Sequence, residues 1–346
     1  MTASRPVVDA HAHFFPAELS PPTGSDDQRW PSLLRDSPHD GRILRGGKMF
    51  RPARSSLWSI ECRLAELDAA GVDVQLISPV PVTLVYWAPE SLATPYLRRQ
   101  NDLLADVTAE SGGRLVGVGA VPLQNPDAAV HELRRSVLEL GFKGVEIGTR
   151  IGELDLDHES LRPFFAAACD LGTPVFIHPV EGGGSTIRRS GQPYDFGLGM
   201  TTETAIAASS LVFGGVLEQF ADLKVVLSHG GGSFPATYPR MRYGAEVIAG
   251  MDVRESDRRV RSLYADAIVH DLGLLPGVVA RFGHDHIVMG SDCPFFPSGI
   301  THAMNVIRDS ALPDETQQEI LGTNAFTLFD LDTGLSNARD LQLEDS

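Results

Sequence analysis

Eight short apolar runs recur along the chain, and nearly all the intervals between them contain helix-like sequence. Runs of this length, bounded by Gly and Pro, are typical of strands that are buried on both faces of a parallel sheet. Strands that alternate with helices eight times predict a (β/α)8 TIM barrel with right-handed crossovers. The runs span residues 7–13, 72–80, 115–122, 144–149, 173–179, 223–231, 263–270 and 286–294.

The helical intervals carry recognisable start and stop signals. Residues 58–70 have the 3.6-residue periodicity of an amphipathic helix and end before Gly71, while residues 126–140 open with Pro126. A doubly wound open sheet is the alternative fold, but the chain has neither a GxGxxG nor a Walker A sequence. The other predicted helical segments are residues 158–171, 201–221, 236–250 and 271–282.

With 346 residues, the chain is long enough for one barrel domain with insertions. Two segments interrupt the alternation, residues 14–56 and residues 181–200, and each follows a predicted strand. We expect both segments to lie over the mouth of the barrel and to shape a pocket there. The polar tail, residues 331–346, is expected to pack loosely or to be disordered.

The charge balance excludes one large class of partner. Lys and Arg number 29 against 45 Asp and Glu, for a net charge of −16, so binding to nucleic acid is not expected. An anionic small substrate would require specific cationic side chains near the site. The sequence also lacks an apolar signal segment and any run long enough to cross a bilayer, and its three cysteines are widely spaced. A cytoplasmic protein without disulfides is expected.

Four of the eight runs end in residues that commonly bind metals. His11 and His13 end the first run, His178 the fifth, His229 the sixth and Asp292 the eighth. Active sites of parallel barrels lie at the carboxyl ends of the strands. These five side chains are therefore expected to converge on one site, although they are far apart in the sequence.

The residue types in this group fit a divalent metal ion. His11 and His13 are two residues apart on a strand, so both side chains point to the same face. With His178 and Asp292 they supply three nitrogens and one oxygen, which suits zinc and also manganese. His229 precedes three glycines, which let the backbone approach closely. We assign His229 as an acid/base residue, with a role as a fifth ligand as the alternative.

Several motifs together resemble the amidohydrolase superfamily in its decarboxylase branch. They include DAHAHFFP, FIHP, SHGGGSFP and GSDCPFF, with KMFR at residues 48–51 and YADAIVHD at residues 264–271. Within that branch the resemblance is greatest to the aminocarboxymuconate-semialdehyde decarboxylase family. It extends over about residues 7–330, and HGGGSFP is its most specific stretch.

The resemblance implies a role for each motif residue. His11, His13, His178 and Asp292 would bind one zinc ion, and His229 would be the base that activates a metal-bound water. Arg51, in KMFR, and Arg240 would hold substrate carboxylates, with Arg240 contributed across a homodimer interface. The implied activity is a metal-dependent, non-oxidative decarboxylation of a 2-amino-3-carboxymuconate-6-semialdehyde-like or related aromatic-pathway acid.

The sequence also departs from that family, and other activities stay open. It has HPV at residues 178–180 where the family has HPW, and residues 181–200 lack the family's tryptophans. A hydroxybenzoate or salicylate decarboxylase is therefore an alternative, as is a metal-dependent hydrolase of a lactone or cyclic amide. Glu146, in the fourth run, is a candidate bridge to a second metal or else an inward-facing polar residue. No lysine occupies that position.

Overall fold

The computed structural model describes residues 5–23, 25, 27–180, 182 and 186–331. Its main sheet has eight strands, each on one of the predicted runs, and every neighbouring pair is parallel. In chain order, which is also their order in the sheet, the strands are β1 Val8–Phe14, β2 Val74–Pro79, β3 Leu115–Ala120, β4 Gly144–Gly148, β5 Val175–His178, β6 Val225–Leu227, β7 Leu263–Asp266 and β8 Ile287–Val288.

Contacts between the first strand and the segment after the last strand close the sheet. The Ala10 amide donates to the Met289 carbonyl oxygen at 2.9 Å, and the His13 amide donates to the Cys293 carbonyl oxygen at 2.8 Å. A parallel bridge between Ala12 and Cys293 extends this pairing. The closed parallel sheet confirms the predicted (β/α)8 barrel.

Helices occupy every interval between the strands, at or near the predicted positions. Ser59 caps the first helix by accepting a hydrogen bond from the Cys62 amide, and Gly71 ends that helix in the left-handed region at φ 75°. The helices are α1 Ile60–Ala70, α2 Glu90–Glu110, α3 Pro126–Leu138, α4 Arg162–Leu171, α5 Met200–Phe213, α6 Val216–Gln219, α7 Phe234–Val247, α8 Val253–Ser262, α9 Leu275–Phe282, α10 Gly299–Arg308, α11 Asp314–Gln318 and α12 Asn324–Leu328.

Two helices that were not predicted, α2 and α8, have sequences that only weakly favour a helix. Pro95 lies inside α2, and α8 is mostly charged, with Val253 and Val260 as its buried apolar residues. Both helices pack on the barrel, because burying a few apolar side chains is enough to hold a helix there despite poor local propensity. No helix in the described ranges is both long and apolar enough to span a membrane.

The segment after β1 folds into a small sheet of its own. Three antiparallel strands, Ser32–Arg35, Asp40–Arg45 and Lys48–Arg54, form a meander beside the barrel. The sequence predicts a pocket-forming insertion over residues 14–56 but gives no sign of a sheet within it. The last of the three strands brings Arg51 into a pocket that His13 and Asp292 also line.

The segment after β5 also reaches the strand ends. A helical turn, Asp195–Gly199, leads directly into α5, and Phe196 and Met200 line a cavity next to His229. A short antiparallel pair, Arg150–Ile151 and Leu154–Asp155, follows β4. The predicted loose tail lies outside the described residues beyond Leu331.

Candidate active site

Four predicted side chains meet at the carboxyl ends of β1, β5 and β8. One ligand atom from each of His11, His13, His178 and Asp292 can be chosen so that all four atoms lie within 4.8 Å of one another. All four residues are buried. Donor atoms at such spacing can surround a single ion, so this arrangement forms a candidate metal centre.

In each of the three histidines the Nδ1 atom contacts an accepting oxygen. The Nδ1 atom of His11 lies 2.7 Å from a carboxylate oxygen of Asp266, that of His13 lies 3.1 Å from the Pro79 carbonyl oxygen, and that of His178 lies 2.8 Å from the Pro179 carbonyl oxygen. Because these partners accept hydrogen bonds, each Nδ1 carries a proton, and the Nε2 of each ring is the nitrogen that would bind an ion once the ring is neutral. The Nε2 atom of His178 is buried and has no hydrogen-bond partner among the described residues.

Burial and nearby carboxylates set the charge of the cluster. Burial lowers the pKa of His178 well below its ordinary value and also lowers the pKa of His13. For His11, burial opposes protonation, but the hydrogen bond and charge of Asp266 outweigh it and raise the pKa to about 9. For Asp292, burial opposes ionisation, but the close contact with the His13 ring and nearby positive charge lower the pKa. The carboxylates therefore favour a cation at the centre.

His229 lies beside the four-residue cluster. Its ring centroid is 4.8 Å from that of His178, and its Nε2 is 4.0 Å from a carboxylate oxygen of Asp292. Burial lowers the pKa of His229 to about 4, so its imidazole is neutral. Neither ring nitrogen has a hydrogen-bond partner within the described part of the chain. A neutral imidazole with a free nitrogen can accept a proton at this position.

Arg51 lies beside the cluster. It lines a pocket together with His13, His178 and Asp292. The guanidinium carbon lies 5.1 Å from the centroid of the Phe295 ring, which lines the same pocket. The contact with the aromatic face holds the cation while leaving its N–H groups available for a carboxylate.

A family model described as Amidohydrolase matches residues 8–331 of this chain. This chain belongs to the amidohydrolase family. The 2-amino-3-carboxymuconate-6-semialdehyde decarboxylase of Dictyostelium discoideum is 32% identical to it, with 94% of this chain and 92% of that protein covered. The gamma-resorcylate decarboxylase of Rhodococcus jostii strain RHA1 is 29% identical, with 79% of this chain and 88% of that protein covered. Both relatives are decarboxylases, which confirms the predicted branch.

A solved structure matches this amidohydrolase along most of its length. The apo crystal structure of Metarhizium anisopliae IDCase superimposes with a TM-score of 0.80, at 23% sequence identity, and the match covers 95% of this chain and 98% of that one. The likeness shows that the two proteins share a fold.

Arg240 is the one predicted site residue that a single chain of this amidohydrolase does not bring to the centre. Its side chain is exposed on α7, and it does not line the pocket that holds Arg51. Tyr243 and Val247 on the same helix, and Ile248 directly after it, are exposed, with exposed fractions of 64%, 60% and 86%. A cation on an apolar outer face is positioned to contact another molecule.

Two buried carboxylates near the cluster complete the site of this amidohydrolase. Glu146 accepts a hydrogen bond from the Ser78 hydroxyl at 2.7 Å, and burial raises its pKa to about 8. Glu146 lies outside the four-residue group.

Asp266, at the end of β7, contacts the ring of His11. It is not among the site residues predicted from the sequence. Its position at a strand end was the available signal, but nothing in the sequence separated it from other acidic residues.

Proposed function

We propose that this amidohydrolase is a metal-dependent, non-oxidative decarboxylase. Its substrate is a 2-amino-3-carboxymuconate-6-semialdehyde-like acid or a related acid from an aromatic pathway. The observation that carries the proposal is that Arg51 lines the same pocket as the candidate metal ligands His13, His178 and Asp292. A guanidinium beside a metal centre suits a carboxylate substrate, which has to be bound despite a net charge of −16.

In this proposal His11, His13, His178 and Asp292 hold one divalent ion, either zinc or manganese. The fit rests on three imidazole nitrogens and one carboxylate oxygen, all buried and close together. When bound, the ion supplies a Lewis acid and lowers the pKa of a water molecule at its open position. A single ion per chain is proposed because Glu146 already accepts a hydrogen bond from Ser78 and lies outside the ligand group.

His229 is proposed as the residue that moves protons. Loss of carbon dioxide breaks a carbon–carbon bond and leaves the electron pair on the substrate, so a proton must reach that carbon. His229 can take a proton from water at a free ring nitrogen and later return it to the substrate, since its ring is neutral and unpaired among the described residues. Because the site is buried, the transferred proton is shielded from bulk water.

Arg51 is proposed to orient the substrate carboxylate. The Phe295 ring packs beside its guanidinium at 5.1 Å and restricts where that group can point. A bidentate contact with a carboxylate would fix the substrate relative to His229 and the ligand cluster.

A hydroxybenzoate or salicylate is the second candidate substrate. The gamma-resorcylate decarboxylase relative supports it, and so does Val180, which lines the pocket where the resemblance places a tryptophan. A smaller side chain there leaves more room in the pocket for the aromatic ring of such a substrate.

A hydrolase of a lactone or cyclic amide would use the same ligand cluster but would not need Arg51.

We further propose that the chain acts as a homodimer in the cytoplasm. The exposed apolar residues Tyr243 and Val247 share α7 with Arg240, and Ile248 follows that helix, so a second copy covering this face would bring Arg240 toward a neighbouring site. The three cysteines, Cys62, Cys169 and Cys293, are all free, which fits a reducing compartment.

The test of the function uses purified protein loaded with one equivalent of zinc or manganese. Carboxylated semialdehydes and hydroxybenzoates are supplied as a panel, and carbon dioxide release is measured for each. We expect release from at least one member of the panel and its loss in the His229→Ala variant. Metal-loaded protein that releases no carbon dioxide from any member, yet opens a lactone or cyclic amide, would overturn the decarboxylase proposal.

A further inference from the structure

Asp266 connects the ligand cluster to the turn that carries His229. Its side chain is fully buried at the carboxyl end of β7. The Oδ2 atom lies 2.7 Å from His11 Nδ1 and accepts from the His229 amide at 2.9 Å. The Oδ1 atom accepts from the amides of Gly230 and Ile268 at 2.8 and 3.0 Å. Both oxygens are therefore fully used by four donors.

We propose that Asp266 is a positioning residue that aligns His11 and His229 relative to each other. The inference rests on the proposed function in taking His11 as a metal ligand and His229 as the proton-transfer residue. One carboxylate oxygen contacts both residues, so the distance between the ligand ring and the backbone of the base is fixed by two short hydrogen bonds.

The contact with His11 determines which ring nitrogen can bind the ion. A carboxylate oxygen accepts only, so the Nδ1 atom of His11 must carry the proton and Nε2 keeps its lone pair. Carboxylate partners of this kind set the tautomer and orientation of metal-binding histidines, and their loss costs about 10- to 100-fold in metal affinity or activity. Of the three cluster histidines, His11 is the one whose Nδ1 bonds a carboxylate at 2.7 Å.

The contact with the His229 backbone compensates for the absence of a hydrogen bond from the His229 ring to any described residue. Neither ring nitrogen of His229 bonds another described residue, so hydrogen bonds to the ring do not set its position. The backbone does, because His229 adopts a left-handed conformation at φ 56° and Gly230 follows at φ 64°. Such a conformation is costly for a residue with a side chain, and the two amide bonds to Asp266 stabilise it.

Asp9 provides a matched control within the same barrel. It is also a fully buried carboxylate, and it accepts from the Ser291 amide at 3.0 Å and from the Gln75 side-chain amide at 2.7 Å. It contacts the backbone amide of His11 at 3.3 Å and has no bond to a ligand ring. Removing its charge perturbs barrel packing without changing the tautomer of a ligand.

The experiment compares Asp266→Asn and Asp9→Asn in metal-free protein, titrated with zinc against a chromogenic chelator. An asparagine at residue 266 places an N–H group either toward His11 or toward the amides that Asp266 accepts from. We expect zinc affinity to fall about 10- to 100-fold in Asp266→Asn. Affinity in Asp9→Asn should stay close to that of the unchanged chain. Equal zinc affinity in Asp266→Asn and the unchanged chain would overturn the proposal.

Two further measurements separate positioning from a general loss of structure. In Asp266→Asn saturated with zinc, kcat should fall while KM for the substrate changes little, because the base is displaced and Arg51 is not. If that variant does not fold, nitrogen-15 spectra of the zinc-loaded unchanged chain test the role of Asp266. We expect these spectra to show that His11 carries its proton on Nδ1. A proton on Nε2 would contradict the inference. Zinc affinity is measured without substrate. A failure of the proposal about Asp266 can therefore be distinguished from a failure of the decarboxylase proposal.

Discussion

The Nε2 atoms of His11 and His13 lie 3.2 Å apart in the barrel interior. An oxygen of Asp292 lies 3.2 Å from the same atom of His13. Atoms this close need positive charge between them, which a proton on His11 supplies in the metal-free chain and a metal ion supplies when one is bound. The geometry of this pair therefore couples the stability of the barrel to the ion that it binds.

Removal of the metal is predicted to destabilise the protein. An ion at 100 times its dissociation constant contributes about 2.7 kcal/mol to the folded state. Protein stripped with a chelator should unfold at a lower temperature, and one equivalent of zinc should restore the transition. Elemental analysis should find about one ion per chain. A melting temperature that does not respond to the metal would argue against the ligand assignment.

Replacing His229 with Ala is predicted to lower turnover by about 10²- to 10⁴-fold, because general acid–base catalysis contributes that much. Metal content should be unchanged, since His229 lies outside the four-residue group. Carbon dioxide release and elemental analysis on the same sample check both statements. If the variant loses its metal, His229 is a fifth ligand instead.

Replacing Arg51 with Ala is predicted to raise KM for a carboxylate substrate about 10- to 100-fold, because a charge-assisted hydrogen bond contributes about 1.5–3 kcal/mol. The Arg51→Lys variant should recover part of the loss, since it keeps the charge without the bidentate geometry. Arg42, which lies in the same small sheet and pairs with Asp36, is the control. An Arg51→Ala variant with unchanged kinetics would favour the hydrolase alternative.

The apolar face of α7 is predicted to join two copies of the chain. Ile248→Asp should shift the protein toward monomers in sedimentation experiments, because it places a charge on a face that a second copy would bury. Leu138→Asp, at another exposed apolar residue on α3, should leave the assembly unchanged.

A mixing experiment tests whether Arg240 acts across that interface. Arg240→Ala and His229→Ala should each be almost inactive alone. After equal amounts are mixed and allowed to exchange subunits, about one quarter of the activity should return, since half of the dimers then contain one complete site out of two. Mixtures as inactive as their components would rule out a shared site.

Cys293 is predicted to resist thiol reagents in the folded protein. Burial raises the pKa of its thiol to about 12, so the reactive thiolate is scarce at pH 8. Cys62 and Cys169 are half-buried and should be the thiols that react, at a rate set by their partial exposure. Titration with a chromogenic disulfide before and after denaturation measures the difference. Rapid labelling of Cys293 in the folded state would show that the end of β8 opens.

Much of the barrel could be predicted because its strands are buried on both faces. The eight runs marked by Val, Ile and Leu coincide with the eight strands, since burial on both faces leaves a continuous apolar signal. The three-stranded sheet at residues 32–54 was not predicted. Its strands are partly exposed and rich in arginine, so neither a continuous nor an alternating apolar pattern marks them.

The sequence by itself determined that His11, His13, His178 and Asp292 would meet, because each lies on or just after a buried strand and parallel strands share one carboxyl edge. Only the tertiary structure decided that Asp266 would contact both His11 and the His229 turn. It also decided that Arg240 would face outward. Those relationships depend on how neighbouring strand ends and helix faces are turned in space, and no spacing within a single element records them.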